Sequence, residues 1–357
     1  MARNWFAKFA AVTLTLAVLA GCGGAKETAP QQAPAKQEEK KETPASAKPF
    51  TVGMATDMGG LNDDSFNAAA YRGLKRAESE LKVKINVIES KRQEEYEVNF
   101  GTLMDQGSDL IWGIGFLMQE AIAKVAEQNP KQKYAIIDAV AEKPNVASVL
   151  FKEEEGSFLM GIMAAKTTKT NKVAFIGGMN IPVIHHFEAG YKAGVKAVNP
   201  NIEVITIYSD SFVDPAKGKS DALAAIGRGA DVLFHAAGGT GQGVIEAAKE
   251  KNLFAIGVDS DQNHLAPDHV ISSMMKRVDV AVFDVSKMAM EGKFPGGQTI
   301  TLGLKENGVG YSDKTLWNKM PADTKALVDK WADAIKSGKV KVPNDMKQFE
   351  TWTVPTL

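Results

Sequence analysis

Polar side chains and glycines follow several apolar runs of this sequence, at positions where they can contact a ligand. The clearest case begins with the apolar run 232–234, which leads into a cluster of four glycines starting at Gly238. A helical pattern follows, and then a second apolar run, 254–258, that ends directly in Asp259. This order predicts a parallel βαβ unit, and ligands bind beyond the carboxyl ends of such strands. We therefore expect Gly238 and Asp259 to form one wall of a pocket.

The same pattern occurs earlier in the chain. The predicted strand 50–55 runs into a polar loop that carries Asp57, and the predicted strand 134–138 ends in Asp138. Lys276 lies in a semi-apolar stretch after residue 270. It is either a surface or ion-paired lysine, or a cation at a cleft between two halves of the protein.

Two phenylalanines stand out because they lie in polar loops. Phe66 precedes Asn67 and a predicted helix over 67–81, and Phe212 follows the predicted strand 204–208. Phe66 either packs onto the helix that follows it or presents its ring to a ligand. Both interpretations stay open at this point.

The common nucleotide-binding patterns are incomplete. Residues 218–220 supply the end of a phosphate-binding loop, but Val213 stands where its first glycine belongs. Residues 239–241 begin a dinucleotide fingerprint, but Val244 replaces the last glycine. The glycines alone are also explained by a tight turn that packs a helix on the sheet.

We find no catalytic set and expect no metal and no cofactor. The five histidines lack zinc-site spacing, the acidic pairs lack the calcium-loop spacing, and no G-x-S-x-G sequence occurs. Aromatic faces hold planar rings, and carboxylates accept hydrogen bonds from sugar hydroxyls. A nucleoside would use both kinds of side chain.

The first 49 residues predict export and anchoring. Residues 1–21 have a basic start and an apolar core, which is typical of a signal peptide. Residues 19–22 resemble a bacterial lipobox, which implies cleavage before Cys22 and lipid on its thiol; the alternative is a plain signal peptide with an incidental cysteine. Cys22 is the single cysteine, so no internal disulfide is possible. Residues 22–49 are too polar to bury a core and predict a disordered tether.

The remaining residues, 50–357, are enough for two domains of an α/β fold. Strand and helix patterns alternate through residue 150 and then restart with a glycine-bearing helix over 155–167. The formal net charge of -1 gives no attraction to nucleic acid. We expect residues 341–357 to form a C-terminal tail.

Three local predictions concern element ends. Asp64 and Ser65 are suited to cap the helix over 67–81, because their side-chain oxygens can accept free backbone N–H groups. Asp214 before Pro215 predicts the start of a helix over 216–228. Residues 307–310, with two glycines, predict a turn.

Several of these segments together resemble the basic membrane protein family, the solute-binding lipoproteins of ABC transporters that are related to purine nucleoside receptors. The resemblance covers roughly residues 50–310 and lies in residues 57–67, 212–218, 236–243, 257–262 and 273–279. It implies a type I periplasmic-binding-protein fold with two Rossmann-like lobes and a ligand cleft between them. The implied lobes are residues 50–151 plus about 276–300, and residues 152–275 plus about 301–340.

The resemblance also implies a role for each candidate site residue. A base would lie between the rings of Phe66 and Phe212. Asp57 and Asp138 would face the base, Asp259 and Lys276 would hold the ribose, and Gly238 would give a backbone contact. Asn67, in the first of these segments, belongs to the same ligand-binding set.

The resemblance implies a monomeric protein, not an enzyme, that delivers adenosine, guanosine or inosine to an ABC permease and its ATPase. It would be lipid-anchored at the extracytoplasmic face of the cell membrane. Two alternatives remain: a ligand-sensing lipoprotein without a transport role, and a hydrolase acting on nucleosides through Asp259 and Asp261.

Overall fold

Two six-stranded sheets form the centre of this protein. The computed structural model describes residues 48–357. The predicted signal peptide, Cys22 and the predicted tether up to residue 47 lie outside the described residues. Within residues 48–357, no helix is both long enough and apolar enough to cross a lipid bilayer.

Twelve strands occur in residues 48–357. In chain order they are β1 (Thr51–Thr56), β2 (Lys84–Glu89), β3 (Leu110–Ile114), β4 (Lys133–Ile137), β5 (Val146–Phe151), β6 (Lys172–Gly177), β7 (Glu203–Tyr208), β8 (Val232–Ala236), β9 (Phe254–Asp259), β10 (Val270–Lys276), β11 (Thr299–Leu302) and β12 (Val309–Tyr311).

Helices alternate with these strands along the same residues. They are α1 (Phe66–Leu81), α2 (Tyr96–Asp105), α3 (Gln119–Gln128), α4 (Glu153–Thr167), α5 (Pro182–Val198), α6 (Pro215–Gly227), α7 (Thr240–Glu250), α8 (Val278–Met290), α9 (Thr324–Lys336) and α10 (Met346–Thr351).

The two sheets have the same strand order. The first runs β2-β1-β3-β4-β5-β11 and the second runs β7-β6-β8-β9-β10-β12. The first sheet is parallel throughout, while β12 is antiparallel to β10. In each sheet the order reverses beside the first strand, which is where open α/β sheets bind ligands. The two similar halves expected from the sequence are therefore present.

The chain passes between the sheets three times. It leaves the first sheet after β5, returns to it after β10 to form β11, and enters the second again as β12. α8 packs against α1, whereas α4 packs against α5 and α9. The central strands β1 and β3 are fully buried, as expected for apolar runs covered by helices on both faces.

The structure corrects two local predictions. Asp63, not Asp64 or Ser65, accepts the free N–H groups at the start of α1, those of Asn67 at 2.8 Å and Ala68 at 2.9 Å. The Ser65 hydroxyl instead donates to Asp259. Residues 307–310 are not only a turn, because Val309–Tyr311 pairs with the end of β10.

Other element ends match the sequence or extend it slightly. Asp214 caps α6 by accepting from the N–H of Lys217 at 3.0 Å, with Pro215 as the first helical residue, as predicted. α4 begins at Glu153, two positions before the predicted start. The C-terminal residues form α10, which packs against α5.

Glycines set the distance between α4 and α5. A Cβ atom on Gly190 would lie 2.2 Å from the carbonyl oxygen of Glu154, and one on Gly194 would lie 2.0 Å from that of Phe158. Both contacts are to backbone, so the neighbouring atoms cannot rotate away. The two helices therefore approach closely, which fixes the start of α4 beside α5.

Replacing Gly194 with alanine should separate these helices and lower stability by about 1–3 kcal/mol, the usual range for overpacking. Gly227→Ala is the matched control, because a Cβ atom there meets no atom within 4 Å. The control should be neutral or stabilising by up to about 1 kcal/mol. Thermal unfolding of both variants measures the difference, and equal melting temperatures would contradict the packing argument.

Candidate functional site

A cavity lies where strands of both sheets end. It encloses about 610 Å³ of space free of protein atoms, counting the mouth that opens to solvent. All eight candidate residues from the sequence line it: Asp57, Phe66, Asn67, Asp138, Phe212, Gly238, Asp259 and Lys276.

Four of these residues come directly from strand ends. Asp57 follows β1 and Asp138 follows β4 in the first sheet, while Asp259 ends β9 and Lys276 ends β10 in the second. Asp138 and Asp259 have φ angles of 67° and 63°, in the left-handed region that aspartate tolerates better than most residues. The chain turns sharply at both positions, and both carboxylates lie at the cavity.

The two loop phenylalanines approach from different sheets. Phe66 is the first residue of α1, and Phe212 follows β7. A Cβ atom on Gly178 would lie 2.2 Å from the Phe212 ring, so the absence of a side chain there allows the ring to rest on the backbone. Phe66 both packs on the hydrophobic core and lines the cavity, so the two interpretations of this residue are compatible.

Asp57 is held by a network of hydrogen bonds. Its Oδ1 accepts from the N–H of Gly59 at 2.9 Å and from Nδ2 of Asn67 at 2.8 Å. Nδ2 of Asn67 also contacts Asp63 at 3.2 Å. Burial raises the pKa of Asp57 to about 6 despite these donors. Burial likewise raises the pKa of Asp259 to about 6, although Lys276 and the Ser65 hydroxyl oppose the change.

Among residues 48–357, Lys276 is the only cation that lines the cavity. Its side chain is 1% exposed, and Nζ lies 2.6 Å from Oδ2 of Asp138 and 2.8 Å from Oε1 of Glu153. Burial alone would lower the pKa of the ammonium, but Asp138, Glu153 and Asp259 outweigh burial and raise it. Lys276 is thus both ion-paired and at the cleft, which unites the two alternatives from the sequence.

Sequence reasoning missed Glu153 and His186. Oε2 of Glu153 lies 3.1 Å from Nδ1 of His186. The signal was present as three consecutive glutamates at 153–155, but the predicted helix began only at 155 and left Glu153 in a connection. Asp63 was also missed as a lining residue, together with the rings of Phe116 and Phe187.

Two buried oxygen atoms at the cavity have no hydrogen-bond partner within residues 48–357. They are Oδ1 of Asn67 and Oδ1 of Asp138. A buried acceptor without a partner costs about 1–3 kcal/mol, so such atoms point to a ligand that donates hydrogen bonds.

Side chains from the two sheets also contact each other beside the cavity. The Ser65 hydroxyl donates to Oδ2 of Asp259 at 2.5 Å, and the guanidinium of Arg72 donates to the hydroxyl of Ser260 at 2.7 Å. Nε2 of Gln262 donates to the carbonyl oxygen of Asp64 at 3.2 Å. These contacts bring the start of α1 against the loop after β9.

The sequence of the folded body matches a known family model. The model is that of the Bmp family, described as ABC transporter substrate-binding protein PnrA-like, and it matches residues 50–345. The chain belongs to this family. It is an ABC transporter substrate-binding protein, and the family resemblance predicted from the sequence is confirmed.

Relatives of the Bmp chain match it over almost their whole length. The CD4+ T-cell-stimulating antigen of Listeria monocytogenes is 38% identical over 91% of this chain and 94% of its own. The ABC transporter nucleoside-binding protein BmpA of Lactococcus lactis subsp. cremoris is 36% identical over 96% of this chain and 100% of its own.

A solved structure has the same fold as this Bmp chain. A solute-binding protein of an ABC transporter system from Aeropyrum pernix K1 superposes with a TM-score of 0.78 and 32% identity, over 85% of this chain and 96% of its own. The predicted periplasmic-binding-protein fold class is therefore confirmed.

The buried ion cluster predicts a pH-dependent loss of stability in Lys276→Met. Removing one partner of a buried ion pair costs about 3–5 kcal/mol because the other charge is left unpaired. Burial already raises the pKa of Asp138 to about 7. Without Lys276 that pKa rises further and the pKa of Glu153 rises above its unfolded value, so both carboxyls destabilise the folded state more as pH increases. We expect a larger loss at pH 8 than at pH 5, measured by thermal unfolding.

Lys314→Met is the control for this measurement. Lys314 pairs with Asp261 at 3.0 Å, but its side chain is 68% exposed, so its loss should cost less than about 1 kcal/mol. A Lys276→Met variant that is no less stable than this control, or equally destabilised at both pH values, would contradict the assignment of a buried ion cluster.

Proposed function

We propose that this protein binds purine nucleosides outside the cytoplasm and delivers them to an ABC permease. The observation that carries the proposal is the composition of the cavity, which joins aromatic rings to buried hydrogen-bond acceptors. Phe66, Phe116, Phe187 and Phe212 supply rings for a planar base. Asp138 and Asn67 each keep a buried acceptor oxygen that has no partner within residues 48–357.

The charge of the cavity supports a neutral ligand with donor groups. Four carboxylates line it, those of Asp57, Asp63, Asp138 and Asp259, against the single ammonium of Lys276. An anionic phosphate would meet repulsion there, whereas amino groups and hydroxyls find acceptors. Nucleosides therefore suit the cavity better than nucleotides. The Lactococcus lactis relative is named a nucleoside-binding protein, which agrees with this choice.

Each site residue has a proposed role. The base lies between Phe66 and Phe212, with Asp57, Asn67 and Asp138 beside its polar edge. Asp259 and Lys276 hold the ribose hydroxyls, and Gly238 contributes its backbone.

Binding is coupled to closure in this proposal. The first lobe is residues 50–151 with about 276–300, and the second is residues 152–275 with about 301–340. Ligand binds one lobe, and the second closes over it because the closed form has the higher affinity. The closed monomer then docks on the permease, and lipid on Cys22 keeps the protein at the membrane.

The stacking role of Phe212 gives a direct test. A base–aromatic stack is worth about 1–3 kcal/mol, so Phe212→Ala should weaken adenosine binding about tenfold to a hundredfold in calorimetric titration. Val213→Ala is the matched control, because Val213 is adjacent but 47% exposed. The control should keep its affinity. Unchanged affinity in Phe212→Ala would contradict the sandwich.

Incubation with inosine separates binding from hydrolysis. A binding protein returns inosine intact after saturation, because the proposal gives Asp259 and Asp261 no catalytic role. Chromatography for free hypoxanthine measures the outcome. Release of hypoxanthine that is lost in Asp259→Asn would favour the hydrolase alternative instead.

A further inference from the structure

The direction of the third N–H group of the Lys276 ammonium decides whether it can donate to a ligand. A lysine ammonium carries three N–H donors. Two of them are used by Asp138 and Glu153, at 2.6 and 2.8 Å. No third oxygen acceptor for Nζ occurs in the part of the chain that the structure describes, although the rings of Phe66, Phe151 and Phe187 lie 5.1 to 5.5 Å from it. Because Lys276 lines the cavity, its remaining donor has no competing oxygen when a ligand enters.

Glu153 contacts this ammonium from a position outside the cavity lining. Its side chain is 2% exposed and is not among the cavity-lining residues of the described chain. It is the first residue of α4, whereas Asp138 follows β4 at the cavity itself. Glu153 therefore does not contact a ligand in the cavity itself, and Lys276 is the cavity residue that it contacts directly.

A second contact fixes Glu153 in place. Its Oε1 faces Lys276, and its Oε2 lies 3.1 Å from Nδ1 of His186 on α5. Each carboxylate oxygen thus has its own partner. The close approach of α4 and α5 at Gly190 holds the two helices at the separation that this pair requires.

A metal ion is a poorer explanation of the same residues. Glu153, Glu154 and His186 each place one donor atom within 4.8 Å of the others. However, the Lys276 ammonium already lies 2.8 Å from Glu153, and a cation bound there would be repelled by it. The donor set is therefore better described as an ion-pair chain.

We propose that Glu153 is a positioning residue for the ligand, which holds the Lys276 ammonium with its third N–H directed into the cavity, and that His186 holds Glu153 in turn. This role rests on the proposed nucleoside-binding function. Lys276 would swing toward Asp138 without Glu153, because one carboxylate would then be its only strong partner.

The charge states of the three groups agree with this chain. Burial alone would raise the pKa of Glu153, but Lys276 and His186 outweigh burial and lower it. Burial would lower the pKa of His186, but Glu153 and Glu154 outweigh it and raise the pKa. Glu153 is therefore an ionised carboxylate between two donors.

Glu153→Gln tests the proposal, with Glu154→Gln as the matched control. Both changes replace a buried glutamate in the first turn of α4 with its amide, and Glu154 makes no hydrogen bond or ion pair to Lys276. Calorimetric titration with adenosine should show at least a tenfold loss of affinity in Glu153→Gln. The control should stay within about threefold of the unchanged protein.

A double-mutant cycle separates positioning from general structural damage. If Glu153 acts through Lys276, Glu153→Gln should change affinity by less than about threefold when Lys276→Met is already present. A purely structural role would give the same loss in both backgrounds and would overturn the proposal.

A second measurement covers the case in which Lys276→Met does not fold. The buried ammonium should give a slowly exchanging ¹H–¹⁵N resonance, assigned by its loss in Lys276→Arg. We expect it to persist in Glu154→Gln and to broaden or disappear in Glu153→Gln without ligand. An unchanged resonance in Glu153→Gln would overturn the positioning role.

The proposed function and this inference fail in different ways. If the unchanged protein does not bind adenosine, guanosine or inosine, the nucleoside function fails and the ligand role of Glu153 fails with it. If the unchanged protein binds but Glu153→Gln and Glu154→Gln bind equally well, only the inference fails.

Discussion

A buried ammonium is the group on which this binding site depends. Lys276 is 1% exposed, and an unpaired charge at that depth would cost several kcal/mol. It is compensated by Asp138 and Glu153, which come from separate segments: the loop after β4 and the start of α4. The ion pairs therefore tie the end of β10 in the second sheet to the first sheet and to the chain where it crosses between them. Moving any of these elements would expose or unpair a charge, so the cavity wall is fixed by electrostatics as well as by packing.

The need to compensate buried charge also explains why the site can be both acidic and stable. Asp57 and Asp259 are buried at the cavity, and burial raises the pKa of each to about 6. Asn67 donates a hydrogen bond to the carboxylate of Asp57, and the Ser65 hydroxyl donates one to the carboxylate of Asp259. Ser65, Arg72 and Gln262 also connect α1 and the loop before it to the loop after β9, so these segments have contacts of their own besides those a ligand would add. In the proposed function, the ligand completes the pairing of the acceptors that remain free.

Much of this arrangement follows from local sequence. Strand ends can be predicted because apolar runs give way to aspartate or glycine, and parallel strands bring those ends to one edge. That is why the four candidates at strand ends, Asp57, Asp138, Asp259 and Lys276, line one cavity, while the other four candidates were brought together by the family resemblance. Glu153 was missed for a different reason: three glutamates at 153–155 are visible in the sequence, but which of them contacts Lys276 depends on where α4 begins and on its packing against α5. Asp63 was missed as the cap of α1 because aspartate and serine are equally good caps, so their order alone does not identify which one accepts the N–H groups.

Strand β12 has only three residues, one of them glycine, and forms because β10 is beside it.

The central claim is that the cavity recognises an uncharged purine nucleoside through both its base and its ribose. Thermal melting of the protein against adenosine, guanosine, inosine, cytidine, adenine, ribose and adenosine 5′-monophosphate tests it most directly. A ligand at a hundredfold excess over its Kd stabilises the folded state by about 2.7 kcal/mol. We expect the purine nucleosides to raise the melting temperature and the monophosphate to have little effect, because four carboxylates line the cavity. No shift with any nucleoside, or an equal shift with the monophosphate, would contradict the account.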